Sequence, residues 1–142
     1  MRLAVHPFSF VLSALMAVTI TYFQAANAGE QEYKPKAKVT SLVETPLAGV
    51  KGKTVIIKHF EIPPGFVGGK HIHVGPAFVY VLEGEITIDT EATGRQTIKP
   101  GQLYQEPIRS VMQGRNLSTT DPAKFVVFQV GDEGKPMAIK AQ

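Results

Sequence analysis

Glycine and proline cut this chain into short pieces. Breaks stand at Pro63-Pro64-Gly65, Gly68-Gly69, Gly75-Pro76, Thr93-Gly94, Pro100-Gly101, Pro107 and Asp121-Pro122. Proline removes a backbone donor and fixes φ, and glycine opens the backbone to bends that other residues resist, so the elements between the breaks must be brief. The pieces themselves, "KTVIIKHFEI" from Lys53, "AFVYVLEGEITIDT" from Ala77 and "AKFVVFQVG" from Ala123, are rich in β-branched and aromatic residues. Such residues suit a pleated, half-buried surface. The second piece reads as two strands joined at Glu83-Gly84. Outside the N-terminal region no stretch of ten or more residues carries an apolar stripe at helical period. The expected class is all-β, an antiparallel sandwich or barrel.

The first residues follow another logic. Arg2 precedes an apolar run from about Phe8 to Phe23, and the small triplet Ala26, Asn27, Ala28 follows it. That order marks a secretory signal over 1–28 with cleavage after Ala28. Ser9, Ser13, Thr19 and Thr21 interrupt a run already shorter than the roughly 20 apolar residues a membrane span needs, so no membrane partner is expected once the signal is removed. The mature protein would be periplasmic or secreted. Taking 28 from 142 leaves 114 residues, enough for one domain. Residues 29–50 read as an arm and a first strand, and 51–142 as the main domain. Within the arm, "GEQEYKPKAKV" is polar and without period, which predicts a flexible segment. With no cysteine, stability rests on packing alone. Losing Arg2 lowers the net charge from +3 to +2, and the remaining lysines are scattered apart from Lys34, Lys36 and Lys38. Neither that balance nor export suits a nucleic-acid partner.

One stretch carries chemistry: "HIHVGPAFVYVLEG", His71 to Gly84. On an extended strand His71 and His73 project from the same face and could grip one ion. Four residues beyond His73, where a carboxylate would complete the grip, stands Ala77. The wider spacing of "GFVGGKHIHVGPAFVYVLEG" resembles the first motif of the cupin family: Gly, five residues, His-x-His, three or four residues, Glu, six residues, Gly. Gly65, His71, His73 and Gly84 match, and Ala77 replaces the glutamate. "GQLYQEPIRSVMQGRN" resembles the second motif from Gly101 through Pro107 to Asn116, with Arg109 in place of a glycine and Met112 in place of a histidine.

The resemblance implies a cupin-type antiparallel jelly-roll barrel, the double-stranded β-helix, with 51–142 as the cupin domain and ligands bound inside it. Cupin enzymes hold iron, manganese, nickel, copper or zinc on three histidines and one glutamate, of which His71 and His73 survive here. Two imidazoles are fewer than the protein ligands a catalytic site usually supplies. Met112, whose thioether suits copper(I), and Glu106 are the candidate substitutes, so a divalent transition metal or copper is the cofactor such a set could attract. By strand parity Glu106 and Tyr104 share a face, and the sequence leaves open whether that face lines the cavity. The plainer readings are that Met112 fills the core and that Glu106 is a surface carboxylate.

Arg109, on a loop at the expected barrel mouth, is a candidate clamp for a ligand carboxylate or phosphate, against the simpler reading of a solvated charge. By parity Arg109 and Arg115 point away from whatever Met112 lines. His59 shares a face with Val55, Ile57 and Glu61 and reads more simply as a packed or surface residue than as a ligand. Phe78 and Tyr80 alternate with Val79 and Val81, so that strand is apolar on both faces, as inside a sandwich or at a dimer contact. The family implies a homodimer through such a surface.

Two functions follow. One is an exported single-domain cupin that binds a small-molecule ligand in its barrel through His71, His73, Met112, Tyr104 and Arg109, with an incomplete metal site. The other is a metal-dependent cupin enzyme, dioxygenase- or isomerase-like, using His71 and His73 with Met112 or Glu106 as unusual further ligands. No thiol nucleophile, serine elbow or nucleotide loop offers another chemistry, and whether the protein is an enzyme stays open.

Overall fold

The computed structural model of the chain describes residues 30–141; the expected signal peptide over 1–28 lies outside them. Ten strands follow in order: β1 (Lys38–Pro46), β2 (Lys53–Ile62), β3 (His71–Ile72), β4 (Ala77–Glu83), β5 (Ile86–Thr90), β6 (Gly94–Ile98), β7 (Leu103–Glu106), β8 (Met112–Arg115), β9 (Ala123–Asp132) and β10 (Ile139–Lys140). No helix occurs among the described residues. The strands form two five-stranded antiparallel sheets, ordered β1-β2-β9-β4-β7 and β10-β3-β8-β5-β6. Chain neighbours therefore often lie in opposite sheets, which wraps the two sheets around a common interior.

The Gly and Pro breaks fall between strands, as their backbone chemistry requires. At Gly84 the chain turns from β4 to β5 with φ +65°, and a Cβ there would collide with the Pro122 carbonyl. Only glycine satisfies both conditions. Arg109 is the non-glycine residue of positive φ (58°) among the described residues, so it holds a left-handed backbone that the family's glycine adopts without strain. The buried Asn116 ends the second motif by tying loops together: its amide nitrogen donates to the carbonyls of Pro63 and Asp121, and its oxygen accepts from the Ser118 amide.

β9 shows how the interior is filled. Phe125, Val127 and Gln129 point inward and are buried, while Val126, Phe128 and Val130 point outward and are half-buried. Phe125 and Val127 meet Ile56, Ile62, Val79, Ile88 and Met112 in one core, and each fully buried large aliphatic side chain stabilises the fold by about 1.5–3 kcal/mol. Outward, Ile57, Phe128 and Phe78 stand in one row across β2, β9 and β4, and His59, Val126, Tyr80 and Leu103 in the next. Tyr80 is 43% and Leu103 64% exposed. The strand that reads as apolar on both faces thus buries only its inner face within the single chain.

The arm departs from the flexible segment its composition predicts. Tyr33 donates its amide to Ala138 and Lys140 donates to Gln31, so the arm runs beside β10. The Tyr33 hydroxyl accepts from the Gly69 amide, and the arm is fastened across the barrel. Backbone pairing of this kind leaves no trace in side-chain periodicity.

Candidate functional site

The bend at Gly68-Gly69 delivers the chain into β3, and there His71 turns one ring nitrogen back on it. His71 Nδ1–H donates to the Gly69 carbonyl at 3.0 Å. The Tyr33 ring covers the imidazole face to face, with centroids 4.4 Å apart and planes 2° apart. Burial under that cover lowers the His71 pKa from 6.5 to about 4; the Gly69 carbonyl opposes the shift and the neighbouring His73 adds to it. His71 is accordingly neutral at pH 7.

His73 lies deeper, 5% exposed. Its Nδ1 stands 2.9 Å from the Met137 carbonyl oxygen and 2.7 Å from Gln129 Oε1. A carbonyl can only accept, so Nδ1 carries the hydrogen. Nε2 then faces Glu106 Oε2 at 3.2 Å. One proton held by the pair, as carboxyl with imidazole or as carboxylate with imidazolium, keeps two lone pairs from facing each other at that distance. Burial pushes the Glu106 carboxyl above the usual carboxylate range, and His73 pulls it back. The contact is close but falls outside hydrogen-bonding geometry, and Glu106 Oε2 has no hydrogen-bond partner among the described residues.

Strand register explains why these groups meet. Glu106 on β7 stands directly opposite Ala77 on β4, and Ala77 stands opposite Gln129 on β9. Glu106, Ala77 and Gln129 form one inward row across about 10 Å, two inter-strand spacings. The His73 ring bridges that row from Gln129 to Glu106 over Ala77, which is fully buried. A methyl at position 77 leaves the room that the imidazole fills.

His71 and His73 project into one interior as expected, with ring centroids 5.3 Å apart, and with Glu106 they line a cavity of about 380 Å³. Phe60, Ile62, Phe66, Ile88, Phe125 and Val127 make its apolar wall, with Phe60 and Phe125 stacked at 5.0 Å. Tyr33, Pro35, Ala37 and Lys58 also line it and are part-exposed.

The other expected site residues lie elsewhere. Met112 is 1% exposed, opposite His71 in register, and packs in the core without lining the cavity. Tyr104 is half-buried beside the core and its hydroxyl bonds Thr93 Oγ1. Arg109 is exposed outside the cavity, and only its backbone serves the site, its amide donating to the His73 carbonyl. Arg115 points away, paired with Asp89. His59 is on the outer face, 4.0 Å from Glu61. Sequence reasoning missed Gln129, Lys58 and Tyr33. The first two had a signal: each is a polar residue at inward parity in a largely apolar strand. Tyr33 had none.

The fold's usual metal set does not fit this chain. Ala77 offers no donor, Met112 is spent on packing, and among the described residues no three His, Cys, Asp or Glu side chains gather closely enough to hold an ion. The structure supports an apolar-walled pocket with the His73–Glu106 pair at its buried end.

Comparison with known proteins agrees with this architecture. No curated protein matches the sequence. Among solved structures, the DMSP lyase DddQ from Ruegeria pomeroyi DSS-3 superposes with a TM-score of 0.59 at 17% identity, covering 74% of this chain and 51% of that one. The chain thus spans about half the length of that enzyme. A cupin 2 domain-containing protein from Halorhodospira halophila gives a TM-score of 0.59 at 18% identity, covering 75% and 70% of the two chains. A cupin domain from Bordetella pertussis gives 0.52 at 23%, covering 72% and 99%. At these identities the likeness concerns the fold. Residues 58–129 match the family described as Cupin domain, and the chain belongs to that family.

Proposed function

We propose that this cupin is an exported single-domain protein that binds a small molecule inside its barrel, against His71, His73 and Glu106, without a resident metal. One observation carries the reading. Glu106 Oε2 is buried beside an apolar cavity, in contact with His73 yet without a hydrogen-bond partner, and a buried polar atom in that state is unfavourable until something completes its bonding. A ligand hydroxyl or carbonyl meeting the His73–Glu106 pair would do so. An unbiased mass-spectrometric search of the natively purified protein, followed by titration of the molecule found, tests it. Binding left unchanged in Glu106→Gln and His73→Ala would overturn the assignment.

A metal-dependent enzyme is the second reading, favoured by one feature. His71 and His73 each engage a carbonyl through Nδ1, the tautomer that leaves Nε2 available. Near-stoichiometric metal in protein purified without a histidine tag would promote it over the first. The DMSP lyase likeness lends the fold and not that enzyme's substrate.

The reading includes a mature chain beginning at Gly29 in the periplasm or outside the cell, checked by N-terminal sequencing of the released protein. It also includes a homodimer formed through the outer apolar rows around Phe78, Tyr80 and Phe128. A two-fold axis would set that surface against its own copy. Light scattering of the wild type and of Tyr80→Lys checks it: the wild type should have the dimer's mass and the variant the monomer's.

A further inference from the structure

Among the described residues that line the cavity, only Lys58 carries an unbalanced charge. It sits at an inward position of β2 between Ile56 and Phe60, directly opposite Val127 of β9. Inward positions on such a strand are normally apolar. Lys58 belongs to none of the ion pairs among the described residues, although Lys34, Lys38, Lys53, Lys99 and Lys124 each have a carboxylate partner. Glu44 on the neighbouring β1 faces Ile56 and is exposed, and it does not reach the ammonium.

The remaining lining charges cancel. Glu32 and Lys34 pair with each other at 3.2 Å, His73 and Glu106 are neutral together while they share one proton, and His71 is neutral. The cavity thus has an excess of one positive charge at the part-exposed Lys58, an apolar wall with a stacked phenyl pair, and polar groups at its closed end. Among the described residues no arginine lines it. A lone ammonium with neither guanidinium fork nor backbone cradle suits a single carboxylate better than a phosphate, which draws several donors.

We infer that the barrel takes a small monocarboxylate with an apolar body, its carboxylate on Lys58 Nζ and its far polar end against His73 and Glu106. This rests on the barrel-ligand reading and adds its chemical class. Lys58 lines the cavity and is part-exposed, so the ion pair forms without full burial of either charge.

Calorimetric titration with two matched probes tests it, 3-(4-hydroxyphenyl)propionate and its primary amide. The full mature protein should prefer the acid on the order of fivefold to tenfold, the range of a partly solvated charge-assisted pair. Lys58→Met should erase that preference, while Lys58→Arg keeps it. Because methionine replaces an inward ammonium by an apolar chain of similar length, the melting temperature of Lys58→Met should hold or rise, which separates lost recognition from lost folding. Equal binding of acid and amide by the wild type, or a preference that survives in Lys58→Met, overturns the carboxylate assignment and leaves the barrel-ligand reading standing. Failure of both probes to bind at millimolar concentration counts against both.

Discussion

At the closed end of the cavity His73 spans from Gln129 to Glu106 over Ala77, and none of the four is more than 5% exposed. At the open end His71 shelters under Tyr33, and Lys58 keeps part of its surface in water. The closed end is buried, so the position of each polar group is dictated by its neighbours and a misplaced one leaves the others unpaired. At the open end water can stand in for a lost partner. Changes at the closed end should therefore act on stability, and changes at the open end on selectivity and titration.

Ala77→Glu should have the largest effect. It restores the family's carboxylate, but into the space of the His73 ring and directly opposite Glu106. Overpacking together with a second buried carboxyl should lower stability by about 3 kcal/mol or more in urea unfolding. Wild-type stability in this variant would show that the His73 ring does not depend on a small residue beneath it. Pairing it with Met112→His completes the family set only if the barrel first repacks.

His73→Ala should come next, at about 2–4 kcal/mol, because it opens a void and strands Gln129, Glu106 and the Met137 carbonyl. His71→Ala should cost less than about 1 kcal/mol, since water reaches the Gly69 carbonyl once the ring is gone. Similar losses from both would erase the contrast between the ends.

Another effect is written into pH. Folded His71 titrates at about 4 and an unfolded histidine near 6.5, so between these values the unfolded chain binds more protons. His71's share of stability is fully present above about pH 6.5 and is lost as pH falls through about 4. His71→Gln should flatten that part of the stability curve, as followed by melting temperature across the range. Tyr33→Ala should have the least effect on stability, about 1 kcal/mol or below, yet by uncovering the ring it should move the His71 titration, read by NMR, back toward 6.5.

The strands β2, β4, β5 and β9 were legible because β-branched residues and turn breaks act locally. His71 and His73 were legible because a two-residue period fixes their face whatever the rest of the chain does. Glu106 was legible only as one of two parities, and Ala77 only as a missing ligand. Lys58 and Gln129 stood out by polarity, without anything to say what they face.

Composition and local pattern by themselves determined an all-β domain held by packing, with two histidines aimed at one interior. The tertiary structure alone decided that Glu106, Ala77 and Gln129 form a single row, because strand register is set between segments distant in sequence. It also decided that Met112 serves the core, that Arg109 contributes its backbone, and that Tyr33 closes over His71. Each of these depends on which strands become neighbours, and a residue's own sequence context carries no information about that.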